Sequence, residues 1–577
     1  MSNRLTQPIV AIWLILLSSV LMAKPQYVDY KPLADVVALK PGEVNDRNLK
    51  VPVITWGGDI ATILANGNQL QSTPDSIFGR KGLSLKLYRE DVFARQVKSY
   101  VAGETPYLRG TVGMISAAAE LLNGDPRTAP VVVYQMTWSA GGDALVVKPA
   151  IRSAKDLKGK TIALQAYGPH VDYAARILKD AGLSFSDVTV RWLPDLTGSN
   201  NSPSAAFYEG DIDAAFVIIP DALALTSGGT VGTGSEDSVK GARILLSTRT
   251  ADKVIADVYA VRQDYFKSHR NKVESFVSGL MEGEAALKAL VKNQSGEAKA
   301  YRSMLEASAK ILLDSEQATA DVEGLYGDAN FVGVAGNQSF FAQANYPRRL
   351  EVLNKEINVG LQQAGIVKKG VELAKASFDY GFLASGITAN GGNVLAESAK
   401  PRFDEGKVAQ LVNQRQQQQS MQQGELFSFE VFFAPNQKSF SIDLYQTAFD
   451  RVLELASTYG GAIITVEGNS DPMEYLRARK GGQVPVVLGR IKQSARNLSL
   501  SRAQEVRDNI IQYAASKNLS LDTSQFAVVG NGIANPKTGI CGGEPCAPKT
   551  EQEWRSNMRV EFRIIQVEAE SDVFMPL

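Results

Sequence analysis

The chain has 577 residues, more than one hydrophobic core accommodates, so at least two domains are expected. Hydrophobic residues make up 44% and charged residues 21%, both ordinary for globular protein. The 61 basic and 61 acidic side chains cancel, which removes the field that would draw nucleic acid or an anionic membrane, so no nucleic-acid partner is expected.

The first residues, "MSNRLTQPIVAIWLILLSSVLMA", carry Arg4 and then an apolar run of secretory h-region length. Residues 1–23 are therefore a signal peptide or an uncleaved inner-membrane anchor; Ala23 suits cleavage, whereas Leu21 is a poor residue two positions before it. The chain is placed in the periplasm by this reading. An extension, 24–48, follows.

From Leu49 to about Asp264, β-branched runs such as "VPVITWGGD", "APVVVYQMTW", "KTIALQAYG" and "DAAFVIIP" alternate with helical stretches, predicting parallel sheets covered by helices. "YAARILKDAGL" reads as a helix ending at Gly182, and "KVESFVSGLMEGEAALKALVKN" as a longer one. Residues 386–425, with "NQRQQQQSMQQGE", are too polar to bury a core and read as a linker, disordered or a solvated helix. A flexible linker of roughly 40 residues has a mean span of about 35 Å, enough to decouple what it joins. Residues 426–567 then form a second strand-helix unit, with a tail at 568–577.

Cys541 and Cys546, in "GICGGEPCAPK", are the only cysteines. In an oxidising compartment they most simply form a local disulfide; a metal site needs further ligands, and His170 and His269 are the only histidines. No metal or other cofactor is expected.

"TWGGD", "SAGGDALVV", "DLKGKTIALQAYGPHVDYAARILKDAGL" and "FYEGDIDAAFVIIPDAL" occur in an order and spacing that resemble the type II periplasmic solute-binding proteins, the group including the taurine/sulfonate, nitrate and thiamine-pyrimidine receptors of ABC importers. The resemblance covers 49–385 and implies an α/β fold of two lobes, about 49–145 with 260–385 and 146–259, crossed near "ALVVKPAI" and "DVYAVRQD". It implies a ligand held between the lobes, an unknown small solute, and an ABC permease or another inner-membrane complex as partner. Strand ends and helix N-termini favour the same location. The candidate ligand-binding residues are Trp56, Gly57, Gly58, Asp59, Ser139, Gly141 and Gly142, with Gln165, Tyr167, Gly168, Pro169 and His170 from the facing lobe. Asp59, Asp143 and Asp172 favour a cation, while helix N-termini favour an anion. One thiamine-pyrimidine synthase shares this fold, but its cysteine-rich motif and active histidines have no counterpart here, so no enzyme is expected.

The C-terminal unit resembles the OmpA-like domain that binds peptidoglycan, through "VEGNSD", "LSLSRAQEV", "VVGNGIANP" and "NMRVEF". The resemblance implies an α+β unit of βαβαββ type and cell-wall association. It maps the family's acid onto Asp471 and its helix arginine onto Arg502, with Asn469, Ser470 and Arg559 beside them. An acid and a guanidinium suit the ammonium and carboxylate at the free end of diaminopimelate in the stem peptide. Ser499 or Ser501 as a cap would set Arg502 in the first turn of a helix beginning near Leu500. Asn469 and Ser470 stand where the family has His and Thr, Met558 replaces its first paired arginine, and Ala495 its asparagine. Two functions follow: a wall-tethered solute receptor, or a wall-anchored sensory or scaffold component whose lobes bind a protein.

Overall fold

The computed structural model describes residues 24–565 other than 47–48, 236, 386, 390–391, 394–402, 419–424, 436, 438–444, 518 and 520. The segment 1–23 expected to direct export and the tail thus lie outside the described residues. Among those described, no helix is long and apolar enough to cross a membrane.

In the first lobe β1 (Leu49–Val53) pairs in parallel with β2 (Leu85–Arg89). Beside them, β3 (Tyr107–Thr111), β4 (Pro130–Ser139), β10 (Ala256–Arg262) and β11 (Ala329–Phe331) lie in the order β11-β4-β10-β3, and β12 (Ala374–Lys375) also pairs with β4. Every residue of β4 and β10 is buried, as expected of strands covered on both faces. The Arg270–Lys292 helix buries Val273, Phe276, Val277, Leu280 and Leu287, a spacing that puts one stripe against the core.

The second lobe holds β5 (Asp143–Val147), β6 (Thr161–Gln165), β7 (Thr189–Leu193), β8 (Ala214–Ile218) and β9 (Arg243–Ser247), in the order β7-β6-β8-β5-β9. The helix after β6, His170–Asp180, stops before Gly182 at φ 75°, where the sequence placed its end.

Two expectations need correction. The sheets are mixed: β6 is parallel to β7 and β8, but β5 and β10 run antiparallel to their neighbours. Both strands follow a passage from the other lobe with no intervening helix, so the chain enters from the opposite end of the sheet. The passages also lie elsewhere than "ALVVKPAI" and "DVYAVRQD". Asp143–Val147 and Ala256–Arg262 are already paired strands, which leaves 140–142 and 248–255 as the crossings.

The extension is ordered on both lobes. Val28 bridges to Trp192, the Tyr30 ring lies tilted with its centre 4.5 Å from that of Tyr167 and 4.7 Å from that of Trp192, and Leu33 and Val37 are buried. The Gly42 amide then donates to the Val101 carbonyl of the first lobe. Residues 24–46 therefore strap one lobe to the other. After the first unit a short hairpin pairs β13 (Thr388–Ala389) with β14 (Gly392–Asn393).

The C-terminal unit has β15 (Glu425–Phe432), β16 (Ile463–Asn469), β17 (Phe526–Gly532) and β20 (Arg559–Ile565) in the order β15-β20-β16-β17, with β16 and β17 parallel. Met558, Val560, Phe562 and Ile564 face the apolar core with Val466, Ala503 and Val506. Alternation along β20 turns Arg559, Glu561 and Arg563 to the opposite face. The hairpin β18 (Ile540–Cys541) and β19 (Glu544–Pro545) is closed by the Cys541–Cys546 disulfide.

The glutamine-rich stretch is more than a spacer. Glu405–Gln417 is a helix whose Val408, Leu411 and Val412 bury against Phe403, Ile463 and Ala527. Nor is the C-terminal unit decoupled from the lobes. The Gly460 amide donates to Asp252 Oδ1 at 2.9 Å, Lys253 N donates to the Thr458 carbonyl, and Gly461 passes so close to Arg249 that a Cβ there would sit 1.8 Å from its carbonyl oxygen. The segment touched, 249–253, is the return crossing.

Candidate functional site

The seam between the lobes forms where β1, β4 and β5 end or begin. Trp56, just past β1, donates its indole N–H to Thr137 Oγ1 at 2.9 Å. Its ring lies against Gly142, where an added Cβ would come within 2.6 Å of a ring carbon; a Cβ on Gly141, at φ 148°, would meet Asp328 Oδ1 at 2.6 Å. These glycines let the first crossing pass between Trp56 and Asp328. Gly58 borders Thr137 and Trp56 in the same place.

Asp143, first residue of β5, organises the facing side. Ser139 Oγ donates to Asp143 Oδ2 at 2.6 Å, and His170 Nε2 lies 2.7 Å from Asp143 Oδ1. Thr248 Oγ1, from the return crossing, accepts from the amides of Gly141 and Asp143. Asp143 thus ties the start of the His170–Asp180 helix to Ser139 through its carboxylate and meets Thr248 of the return crossing through its main chain. The serine donates to the acid, so this trio holds a geometry; in a nucleophilic triad the serine would face the histidine instead.

Acids crowd the seam. Burial pushes Asp172 up to about 8, with Asp143 and Asp257 adding, and its Oδ2 has no hydrogen-bond partner among the described residues. Burial likewise lifts Asp328 to about 6, again with help from Asp143. Asp59, expected to face a ligand, turns inward: Arg109 bridges it to Asp257, each at 2.9 Å, with all three side chains buried. Burial still raises Asp59 to about 7 against the pull of Arg109.

Trp56, Gly58, Ser139, Gly141, Gly142 and His170 therefore meet around the seam. The other candidates do not. Gly57 packs on the Leu325 carbonyl, and Gln165 folds over Gly168 and reaches the Pro194 carbonyl. Tyr167, left-handed at φ 62°, donates its hydroxyl to the Lys31 carbonyl and lies under Tyr30, and Pro169 caps the following helix. The strap, which no local pattern announced, covers this edge. Thr137, Thr248, Asp257 and Asp328 went unnamed because each reaches the seam from a distant segment.

In the C-terminal unit the expected cap is overturned. One helix runs from Pro485 to Ser516, so Arg502 lies in its interior. Nothing between Pro485 and Ser516 breaks the helix; Ser499 and Ser501 instead bond back to the carbonyls of Arg496 and Asn497. Arg502 is 1% exposed, donates Nε to the Gln437 carbonyl at 2.9 Å and Nη2 to the Ala434 carbonyl at 3.3 Å, and stacks 5.2 Å from the Phe433 ring centre. Burial alone lowers it to about 10; no acid pairs with it among the described residues, and its Nη1 is left without a partner.

Asp471, half-buried just past β16, accepts from the Met473 amide through Oδ2 at 3.1 Å. Burial raises its pKa, opposed by the Trp554 indole and the Met473 amide. Asp471 and Arg502 make no ion pair with each other. The supporting residues are engaged internally. Asn469 Nδ2 donates to the Glu467 carbonyl, Ser470 Oγ to the Ala495 carbonyl, and Arg559 pairs with Glu430 at 3.1 Å and Glu561 at 3.2 Å on the sheet face away from Arg502. The strand's two-residue repeat puts Met558, not Arg559, on the Arg502 side.

Residues 114–295 match the family NMT1/THI5 like. This span runs through the second lobe and both crossings, and it supports a solute-binding unit of the type II class. The taurine-binding periplasmic protein of Escherichia coli strain K12 is 27% identical over 216 residues, 36% of this chain and 60% of that relative. The match thus spans less than two thirds of the relative's length. Among solved structures, the periplasmic aliphatic sulphonate binding protein of Escherichia coli aligns with TM-score 0.40 and 18% identity over 57% of this chain and 90% of that one. The alkanesulfonate-binding protein of Xanthomonas axonopodis pv. citri, bound to MOPS, gives 0.39 and 17% over 58% and 100%.

Proposed function

We propose that the chain is a periplasmic receptor that holds a small solute between two lobes, without chemistry, and is moored to peptidoglycan by its C-terminal unit. The receptor half is supported by the NMT1/THI5 like match and by the seam where Trp56, Gly142, Asp143 and His170 converge from both lobes. An ABC permease is the partner such a receptor delivers to. Mass spectrometry of small molecules released from the purified chain tests it; a chain that neither carries nor takes up any solute overturns the receptor reading.

The mooring rests on one observation: a buried guanidinium that no acid neutralises among the described residues. An unpaired buried charge is costly, and a carboxylate that reached Nη1, which is itself buried and has no partner among the described residues, would offset that cost. The free end of diaminopimelate offers one, with an ammonium for Asp471. Arg502→Ala is expected to weaken sedimentation with purified murein sacculi by on the order of 2 to 5 kcal/mol, and Arg502→Lys to restore it only in part. Equal sedimentation of wild type and Arg502→Ala overturns the mooring.

A second reading, a wall-anchored scaffold, is favoured by the strap and by the docked C-terminal unit, since both touch the two lobes and resist their separation. A pull-down that recovers a membrane protein while no solute shifts the melting temperature would decide for it.

A further inference from the structure

We propose that the seam between the Glu405–Gln417 and Pro485–Ser516 helices is a trough for an N-acetylated glycan strand, a wall contact separate from Asp471 and Arg502. The proposal rests on the wall-binding reading of this unit.

Two cavities, about 670 and about 920 Å³, lie along this seam and share Asn413, Gln416 and Arg496. They therefore form one elongated depression. It follows β17, the outer strand of the sheet. An elongated depression suits a chain polymer better than a compact solute.

One end is largely apolar, but where the two cavities meet the lining is matched to acetamido and hydroxyl groups, which both donate and accept. Gln416 Nε2 donates to Asn531 Oδ1 at 2.8 Å, and Asn531 Nδ2 donates to Asn469 Oδ1 at 3.2 Å, so part of the amide row is oriented before any ligand arrives. Asn413 and Gln417 stand beside it with no side-chain hydrogen bond among the described residues. The acids of the lining are already neutralised, Glu467 by Arg563 at 3.0 Å and Glu544 by Arg479 at 3.2 Å. Of the cations, Arg507 pairs with Asp508 at 2.7 Å, but two others meet no acid among the described residues: Lys492 sits 4.5 Å over the Tyr475 ring, and Arg496 donates to the Gly530 carbonyl. The balance favours a neutral or acidic polar ligand.

The position fits the same unit's other contact. Ser470, next to Asp471, bonds to the carbonyls of Ala495 and Gly532, the first adjacent to Arg496. The glutamine-rich segment thereby acquires a use. Its apolar residues anchor the helix, and its amides line the trough.

Calorimetric titration of the full chain with chito-oligosaccharides of increasing length, and separately with free meso-diaminopimelate, tests the assignment. Affinity should rise with oligomer length. The double variant Asn413→Ala with Gln416→Ala should weaken oligomer binding by about tenfold or more while leaving diaminopimelate unaffected. Arg496→Gln, on the other wall, provides a second variant and should also weaken the oligomer. Oligomer binding without diaminopimelate binding supports the trough and defeats the Arg502 reading. Diaminopimelate binding with no oligomer heat overturns the trough alone. Oligomer affinity unchanged in both variants, or displacement by an unglycosylated stem peptide, also overturns it.

Discussion

Tyr459 donates its hydroxyl to Asp180 Oδ2 at 2.6 Å, across 279 residues of chain. Tyr459 ends the Gln446–Thr458 helix of the C-terminal unit, and Asp180 ends the His170–Asp180 helix of the second lobe. Around this bond Arg451 pairs with Asp180 at 2.9 Å, and Arg176 Nη1 reaches Glu454 at 3.1 Å and Glu356 at 2.9 Å. Glu356 belongs to the first lobe, in the Leu350–Gln363 helix, and Arg348 joins it at 3.3 Å. One buried charge cluster thus spans three parts of the molecule.

Because the cluster is shared, the parts should unfold together. Wild type is expected to melt in a single calorimetric transition. Tyr459→Phe should cost about 1 to 2 kcal/mol, and Arg176→Ala about 3 to 5 kcal/mol by stranding buried acids. Arg176→Ala should also split the melt in two; a single transition with an unshifted midpoint would refute the shared-cluster account.

The cluster also predicts acid sensitivity. Burial disfavours the charged form of Glu356, but Arg348, Arg176 and Lys179 outweigh it and hold the carboxyl at about 2. With the folded value below the unfolded one, the stabilisation is present above about 4.5 and is lost as pH falls toward about 2. Glu356→Gln should flatten that part of the stability curve, read by chemical denaturation at stepped pH.

The seam acids Asp172 and Asp328, and Asp59 turned inward behind them, have the opposite sign. Asp172, Asp59 and Asp328 are raised by burial to about 8, about 7 and about 6, so the folded chain binds protons more tightly than the unfolded one. Their contribution is full at acid pH and declines as pH rises from about 4 to about 8. Asp172→Asn should remove a large part of this decline. A decline as steep in Asp172→Asn as in wild type would contradict it.

The strap supplies a fourth prediction. Tyr30 is partly buried between Tyr167 and Trp192, and its removal leaves a gap between them. Tyr30→Ala should cost about 3 to 5 kcal/mol, whereas Tyr30→Phe keeps the packing and should cost about 1. Trp192 fluorescence, expected to shift to the red in Tyr30→Ala only, reports whether the strap has lifted.

Much of the architecture was legible locally. The run "APVVVYQMTW" announced β4, Gly182 the end of its helix, and Cys541 with Cys546 a local disulfide. Where the reading failed, a longer-range contact had prevailed. Ser499 looked like a cap, but the helix continues through it from Pro485. Tyr167 looked exposed to a ligand, but Tyr30 covers it. The polar glutamine segment looked like a spacer, yet three apolar residues at helical spacing suffice to dock it.

The sequence by itself determined strands such as β4 and the end of the His170–Asp180 helix, because hydrophobic period and turn chemistry act over a few residues. Only the tertiary structure decided which acids share the seam, which face of β20 carries Arg559, and that Arg502 is buried without an acid. Those outcomes depend on burial and on partners hundreds of residues away, and both change a side chain's charge and reach without leaving a mark in its neighbourhood along the chain.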